Sequence, residues 1–234
     1  MKSVDRRSFL ALGCALALGA CGSSETSETT SAETETSKTD ATEGAQEATG
    51  PIVNGVLIEP FDNGYSSGLH HATIEVEGVG TIKVELNANN TPITVSNFAE
   101  LVNEGFYNGL TFHRIMKGFM IQGGDPKGNG TGGSDENIVG EFSANGFTQN
   151  TLSHTRGVIS MARSSDMNSA SSQFFIVHKD STFLDGQYAA FGEVTDGMDV
   201  VDKIATDAKP VDGNGTIPSS KQPVINSVTI ERAQ

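Results

Sequence analysis

Apolar residues recur at every second position in two neighbouring stretches: Thr73 to Glu77 with Ile74 and Val76, and Thr81 to Leu86 with Ile82, Val84 and Leu86. A period of two puts them on one face of a strand, and Gly78 and Gly80 between the stretches predict a β-hairpin. The period then changes. Val95, Phe98, Ala99 and Val102 recur at i, i+3, i+4 and i+7, after Thr91 as a predicted N-cap and Pro92 at the first helical position. An amphipathic helix ending at Gly105 is expected. Short apolar runs over Thr111 to Ile115, Phe119 to Gln122, Gly157 to Met161, Gln173 to His178 and Ala189 to Val194 predict strands. Met198 to Ala205 predicts a second helix, with Val201, Ile204 and Ala205 on one side. A last strand is predicted over Val224 to Ile230, with Val224, Val228 and Ile230 on one face. Many short strands, long polar connections and two widely separated helices predict a mainly β fold, a closed antiparallel barrel. Closure would remove exposed sheet edges. Residues 51–68 contain the short apolar runs Ile52-Val53 and Val56-Leu57-Ile58, to which this pattern assigns no role.

Composition divides the chain before residue 51. Lys2, Arg6 and Arg7 precede an apolar stretch from Phe9 to Ala20, too short to span a bilayer, so residues 1–20 read as an export signal. Asp5-Arg6-Arg7-Ser8-Phe9-Leu10 resembles a twin-arginine motif, and Leu18-Gly19-Ala20-Cys21 resembles a bacterial lipobox whose cysteine is lipidated after cleavage. Residues 22–50 are almost entirely Ser, Thr, Glu, Ala and Gly, which cannot bury enough surface to fold. They read as a tether with an end-to-end distance of roughly 30 Å. The expected location is extracytoplasmic, lipid-anchored through Cys21 to the outer face of the bacterial cell membrane. With Cys14 leaving in the signal, the mature chain has no second cysteine and no disulfide, so packing must stabilise it.

The chain has 15 basic and 29 acidic residues, for a net charge of −14. Cleavage before Cys21 removes Lys2, Arg6, Arg7 and Asp5, which leaves 12 against 28 and makes nucleic acid a poor partner. Nothing in the sequence calls for more than a monomer.

Several motifs share one order. Phe112-His113-Arg114-Ile115-Met116-Lys117-Gly118-Phe119-Met120-Ile121-Gln122-Gly123-Gly124-Asp125 resembles the signature of the cyclophilin family of peptidyl-prolyl cis-trans isomerases. Ile159-Ser160-Met161-Ala162, Ser171-Ser172-Gln173-Phe174-Phe175-Ile176, Phe183-Leu184-Asp185-Gly186 and Phe191-Gly192 follow at nearly the family's spacing. The resemblance covers about residues 69 to 231 and implies an eight-stranded barrel capped by two helices over the domain 69–234. It also implies that Arg114 is the catalytic arginine and that Phe119, Met120, Gln122, Phe175 and Leu184 form the proline site, with Ala162 and Gln173 holding the substrate backbone. Three positions depart from the best-known form. Arg163 stands where an asparagine is common, Phe183 where a tryptophan often donates an N–H, and Tyr188 where a histidine is common. All three are expected at the substrate-binding surface, and the missing indole at Phe183 is expected to weaken binding of cyclosporin, the family's inhibitor.

An X-Pro bond rotates over a barrier of about 18 to 20 kcal/mol set by partial double-bond character. No bond breaks. A fixed donor aimed at the imide nitrogen favours the twisted state, in which that nitrogen regains its lone pair. Arg114, always protonated and forked, suits the role. One charge-assisted hydrogen bond contributes about 1.5 to 3 kcal/mol, so a dry apolar pocket must supply the rest. The mechanism asks for no nucleophile, general base, metal or cofactor. Its expected partners are proline-containing polypeptides, exported proteins among them. The competing reading is a membrane-tethered binding module or holdase for proline segments, in which turnover is incidental.

Other patterns carry less. Gly128 to Gly133 satisfies G-x-G-x-x-G without a preceding strand or following helix, and reads as a loop. His70, His71, His113, His154 and His178 show no metal-ligand spacing and are assigned structural or solvent roles. No G-x-S-x-G elbow occurs, which argues against a hydrolase.

Overall fold

The predicted hairpin forms, one strand in from the end of the sheet. In the computed structural model, which describes residues 52–232, it forms β3 (Leu69–Val76) and β4 (Gly80–Asn87). The export signal, Cys21 and the tether lie outside the described residues. Ala72 faces Val84 and Ile74 faces Ile82 across the pair, so the alternating apolar residues share one buried face. β3 begins earlier than the pattern predicts, because His70 is buried against the Tyr65 ring and extends the inward-facing row.

Five further strands follow the predicted runs: β5 (Phe112–Met116), β6 (Met120–Gly123), β8 (Val158–Met161), β9 (Phe174–Val177) and β10 (Ala190–Asp196). With β11 (Ile225–Glu231) they make an eight-stranded antiparallel sheet in the order β11-β3-β4-β10-β8-β9-β6-β5. Closure is only partial. β11 meets the start of β5 at one bridge, Thr111 to Val224, where the Ile225 N–H donates to Leu110 O at 2.7 Å. Beyond it, residues 215–217 cover the edge of β5, with the Ile115 N–H donating to Gly215 O and the Ile217 N–H to His113 O. β11 also corrects the expected alternation. A bulge between Ile225 and Ser227 shifts the register, so Ile225 and Val228 face the core and Val224 lies partly exposed outside the strand.

The helices are α1 (Pro92–Asn103), against β11 and β4, and α2 (Met198–Asp207), against β4, β5 and β6. Phe98 of α1 puts its ring among those of Tyr107, Phe174 and Phe191. Thr91 and Pro92 stand at the N-cap and first turn of α1 as expected, but the Thr91 side chain does not cap the helix. The Thr91 hydroxyl donates to Asn87 O, and the first free N–H groups of α1 are capped from a distance by Glu141. Its fully buried carboxylate accepts from Ile93 N at 3.1 Å, Thr94 N at 2.7 Å and Thr94 Oγ1 at 2.6 Å. α2 begins at Gly197, whose φ of 91° and contact with the Thr81 carbonyl exclude any Cβ.

Residues 52–68 belong to the packed structure. β1 (Ile52–Val53) and β2 (Val56–Leu57) form a hairpin through Asn54-Gly55, both at positive φ, and β2 pairs in parallel with β7 (Asn137–Ile138). Leu57 is fully buried in the main core. Phe61 N and Asn63 Nδ2 then donate to Ser96 Oγ and Ser96 O, fastening the segment to α1. Their apolar runs are too short to reveal this, since each is completed by partners distant in sequence.

Candidate active site

Sheet register brings the candidate chemistry together. Arg114 on β5 faces Gln122 on β6, which faces Phe175 on β9, so three residues distant in sequence form one row on one face. Met120, two positions before Gln122, shares that face. With Val158, Val177, Leu184 and Ala190 it joins Phe175 in a second apolar cluster, separate from the barrel core. This cluster floors a cleft of about 460 Å³. The cleft walls are Phe119 after β5, Phe183 and Leu184 from the short 3-10 turn Thr182–Leu184, Tyr188 before β10, and Ala162 and Arg163 after β8. Ten of the eleven residues expected at the site therefore line one cavity, and Gln173 lines a polar pocket of about 430 Å³ beside it. The cleft lining also includes His113, Asn129, Gly130 and Thr216, none of which the sequence reading placed at the site.

Arg114 points into this cleft, its guanidinium carbon 5.9 Å from the centre of the Phe119 ring. Two strong contacts set its plane: Nε donates to Asn214 O at 2.8 Å, and Nη1 to Gln122 Oε1 at 3.0 Å. The other contacts are to sulfur, Met120 Sδ at 3.9 Å from Nη1 and Met116 Sδ at 3.3 Å from Nη2. Thioethers are weak acceptors, so the contacts at Nε and Nη1 hold the guanidinium while its remaining N–H groups stay available. Burial lowers its pKa, with Tyr188 and Asp212 opposing, and leaves a charged group in a partly dry cleft.

Gln122 is the relay that steadies the arginine. Its Nε2 donates to Gln173 Oε1 at 2.9 Å, and Gln173 Nε2 donates to Gly132 O at 2.7 Å. The predicted glycine loop is a loop, and this is its use. Asp125 gathers it by accepting from Lys127 N, Asn129 N and Gly130 N, and a Cβ at Gly132 would collide with that carboxylate. Burial acts to raise the Asp125 pKa, but these backbone donors outweigh it and hold the carboxyl below its usual value.

Behind Phe175 lies a constellation invisible in sequence order. His154 contacts Asp185 Oδ1 through Nδ1 at 2.8 Å and Ser160 Oγ through Nε2 at 3.0 Å, and its ring stacks on Phe175. The residue types are those of a hydrolytic triad, yet Ser160 and His154 are fully buried behind the pocket floor. No substrate carbonyl reaches that oxygen; the group positions Phe175. Burial lowers the His154 pKa, outweighing the opposing pull of Asp185, and so favours the neutral imidazole. His113 is also buried and lowered by burial, and its two ring nitrogens have no hydrogen-bond partner among the described residues.

A family model described as cyclophilin type peptidyl-prolyl cis-trans isomerase/CLD matches residues 71–234. The chain belongs to the cyclophilin family. A peptidyl-prolyl cis-trans isomerase of Acinetobacter baylyi is 40% identical over 163 residues, covering 66% of this chain and 79% of that one. Peptidyl-prolyl cis-trans isomerase cypE of Dictyostelium discoideum is 45% identical over 139 residues, covering 57% and 86%. A cyclophilin-type isomerase from Cryptosporidium parvum, solved in the presence of the dipeptide Ala-Pro, superposes with a TM-score of 0.61 at 30% identity, covering 70% of this chain and 99% of that one. The cyclophilin sheet and its two helices thus account for the β-rich architecture, and the enzyme is a peptidyl-prolyl cis-trans isomerase.

Proposed function

We propose that this cyclophilin accelerates X-Pro rotation in exported proteins, with Arg114 donating to the imide nitrogen above an apolar proline pocket. The observation that carries the reading is the placement of the Arg114 guanidinium over Phe119 and beside Met120, anchored by Asn214 O and Gln122. The pyrrolidine ring fills the pocket floored by Met120, Phe175 and Leu184, and the chain before it turns. As the amide twists out of conjugation, the nitrogen lone pair replaces a thioether as acceptor for the arginine. That contact does not exist in either planar ground state, so it lowers the barrier rather than tightening binding. The full chain is expected to speed cis-trans exchange of a short proline peptide, followed by NMR exchange spectroscopy; absence of turnover overturns the reading.

Export and anchoring are the second half of the proposal, supported by the basic start, the apolar stretch and Cys21 with its polar tract. Mass spectrometry of the mature N-terminus is expected to find a diacylated or triacylated Cys21. An unmodified residue there removes the tether. With Cys21 acylated, the enzyme stands off the outer face of the bacterial membrane, held by its acyl chains despite its acidic surface.

Cyclosporin is expected to bind weakly. Phe183 is 67% exposed at the rim, its ring 5.7 Å from that of Phe119, and it has no N–H to donate. Phe183→Trp restores a donor and is expected to tighten binding about two- to tenfold, measured by calorimetric titration. Equal affinities would show that the rim ring acts by packing alone.

A further inference from the structure

Arg163 lines both the proline cleft and the polar pocket beside it. Its guanidinium lies 4.7 Å from the centre of the Tyr188 ring and 5.1 Å from that of Phe142. Nε and Nη2 donate to Gln187 O at 3.0 and 2.8 Å, and Nη1 donates to Ser164 O at 2.9 Å and Ser165 O at 3.5 Å. Those contacts use four of the five N–H groups of a guanidinium, and every acceptor is a neutral carbonyl. The cation is held in place without being neutralised.

Arg114 is in the same condition, its partners being a carbonyl, an amide oxygen and two thioethers. No Asp or Glu lines either pocket, and among the described residues neither guanidinium is in an ion pair. Asp166, three residues after Arg163, accepts from Asn168 N, and Asp212, whose charge acts on Arg114 without a direct contact, accepts from Asn214 N and Thr216 N. Residues 51–234 hold 11 basic and 21 acidic residues, so two cations without a direct ion-pair partner in one cleft are a local reversal of the surface charge. A cleft lined by one sign of charge focuses the field on whatever enters it.

We propose that Arg163 makes this enzyme selective for proline peptides that carry a carboxylate side chain within three residues of the proline. The inference rests on the isomerase reading of the cleft and adds the substrate class. A guanidinium already immobilised by two rings and backbone carbonyls loses little freedom when a carboxylate arrives, and its remaining N–H is directional. A lysine beside the proline meets the same field with the opposite sign.

The test uses the full chain and peptides with Glu, Gln or Lys placed in turn at three positions before and two after the proline. At one position or more, kcat/KM for Glu is expected to exceed that for Gln by about three- to tenfold, with Lys below Gln. The ratio should shrink towards one as salt rises to about 1 M, where the screening length is near 3 Å. Arg163→Gln should bring the Glu-to-Gln ratio to about one, and Arg163→Lys, which keeps the charge but not the stacked, carbonyl-held fork, should retain only part of it. The ratio is taken within each variant, so a general loss of activity from disturbing Tyr188 does not imitate the effect. Equal turnover of Glu and Gln peptides by the wild type overturns this inference alone, as does a preference that survives Arg163→Gln. Turnover of none of the peptides overturns the isomerase reading together with it.

Discussion

Arg114→Ala is expected to lower kcat for a proline peptide about ten- to hundredfold while changing the peptide's affinity little. The magnitude follows from the loss of one charge-assisted hydrogen bond of about 1.5 to 3 kcal/mol, made only when the amide is twisted. Affinity is spared because Met120, Phe175 and Leu184 still floor the pocket after the change. A fall in kcat with KM held is the signature of a contact absent from the ground state. Arg114→Lys is expected to rescue poorly. A lysine can present a charge, but it lacks the fork that lets Nε and Nη1 rest on Asn214 O and Gln122 Oε1 while further N–H groups remain for a substrate. Line-shape analysis of a cis/trans peptide at saturating substrate separates the two parameters. Wild-type kcat in the alanine variant would remove the arginine from the mechanism and favour a binding module with incidental turnover.

How much of this was legible before the fold was known depends on the range of the interaction. The hairpin of β3 and β4 and the apolar face of α1 rest on local periodicity, which needs no partner to be seen. The cleft was legible through motif order, since Arg114, Gln122 and Phe175 reach one row only by strand register. What escaped depends on distant partners. Asn214 holds the Arg114 guanidinium across 100 residues by a backbone carbonyl, which any residue type could supply. Ser160, His154 and Asp185 meet because β8 and the turn after β9 converge behind Phe175, and nothing in their spacing announces it. The bulge in β11 hid Ile225, because an extra residue in a strand breaks the alternation on which the reading relied.

Glu141→Ala is expected to destabilise the domain by about 3 kcal/mol near pH 6, although Glu141 touches neither cleft. The change removes an acceptor shared by Ile93 N, Thr94 N and Thr94 Oγ1 and strands all three at the start of α1, where Pro92 has already dispensed with one donor. Burial also raises the Glu141 pKa from its ordinary 4.5 to about 7, against the lowering effect of those three hydrogen bonds. A carboxyl whose pKa is higher in the folded state keeps a proton that the unfolded chain releases. Its stabilising contribution is therefore complete below about 4.5 and is lost as pH rises through about 7, by on the order of 3 kcal/mol across that window. The buried His70, His113 and His154 and the partly buried His178 act with the opposite sign, since burial lowers their pKa and acidification then favours the unfolded chain. Their effect is common to wild type and variant and cancels in the difference between them. Urea denaturation of both proteins at pH 5.5 and pH 8 should accordingly show a penalty that narrows with rising pH. A penalty of one size at both values would mean that the three donors hold the carboxylate ionised throughout, and that the cap of α1 is a permanent anion at the positive end of the helix.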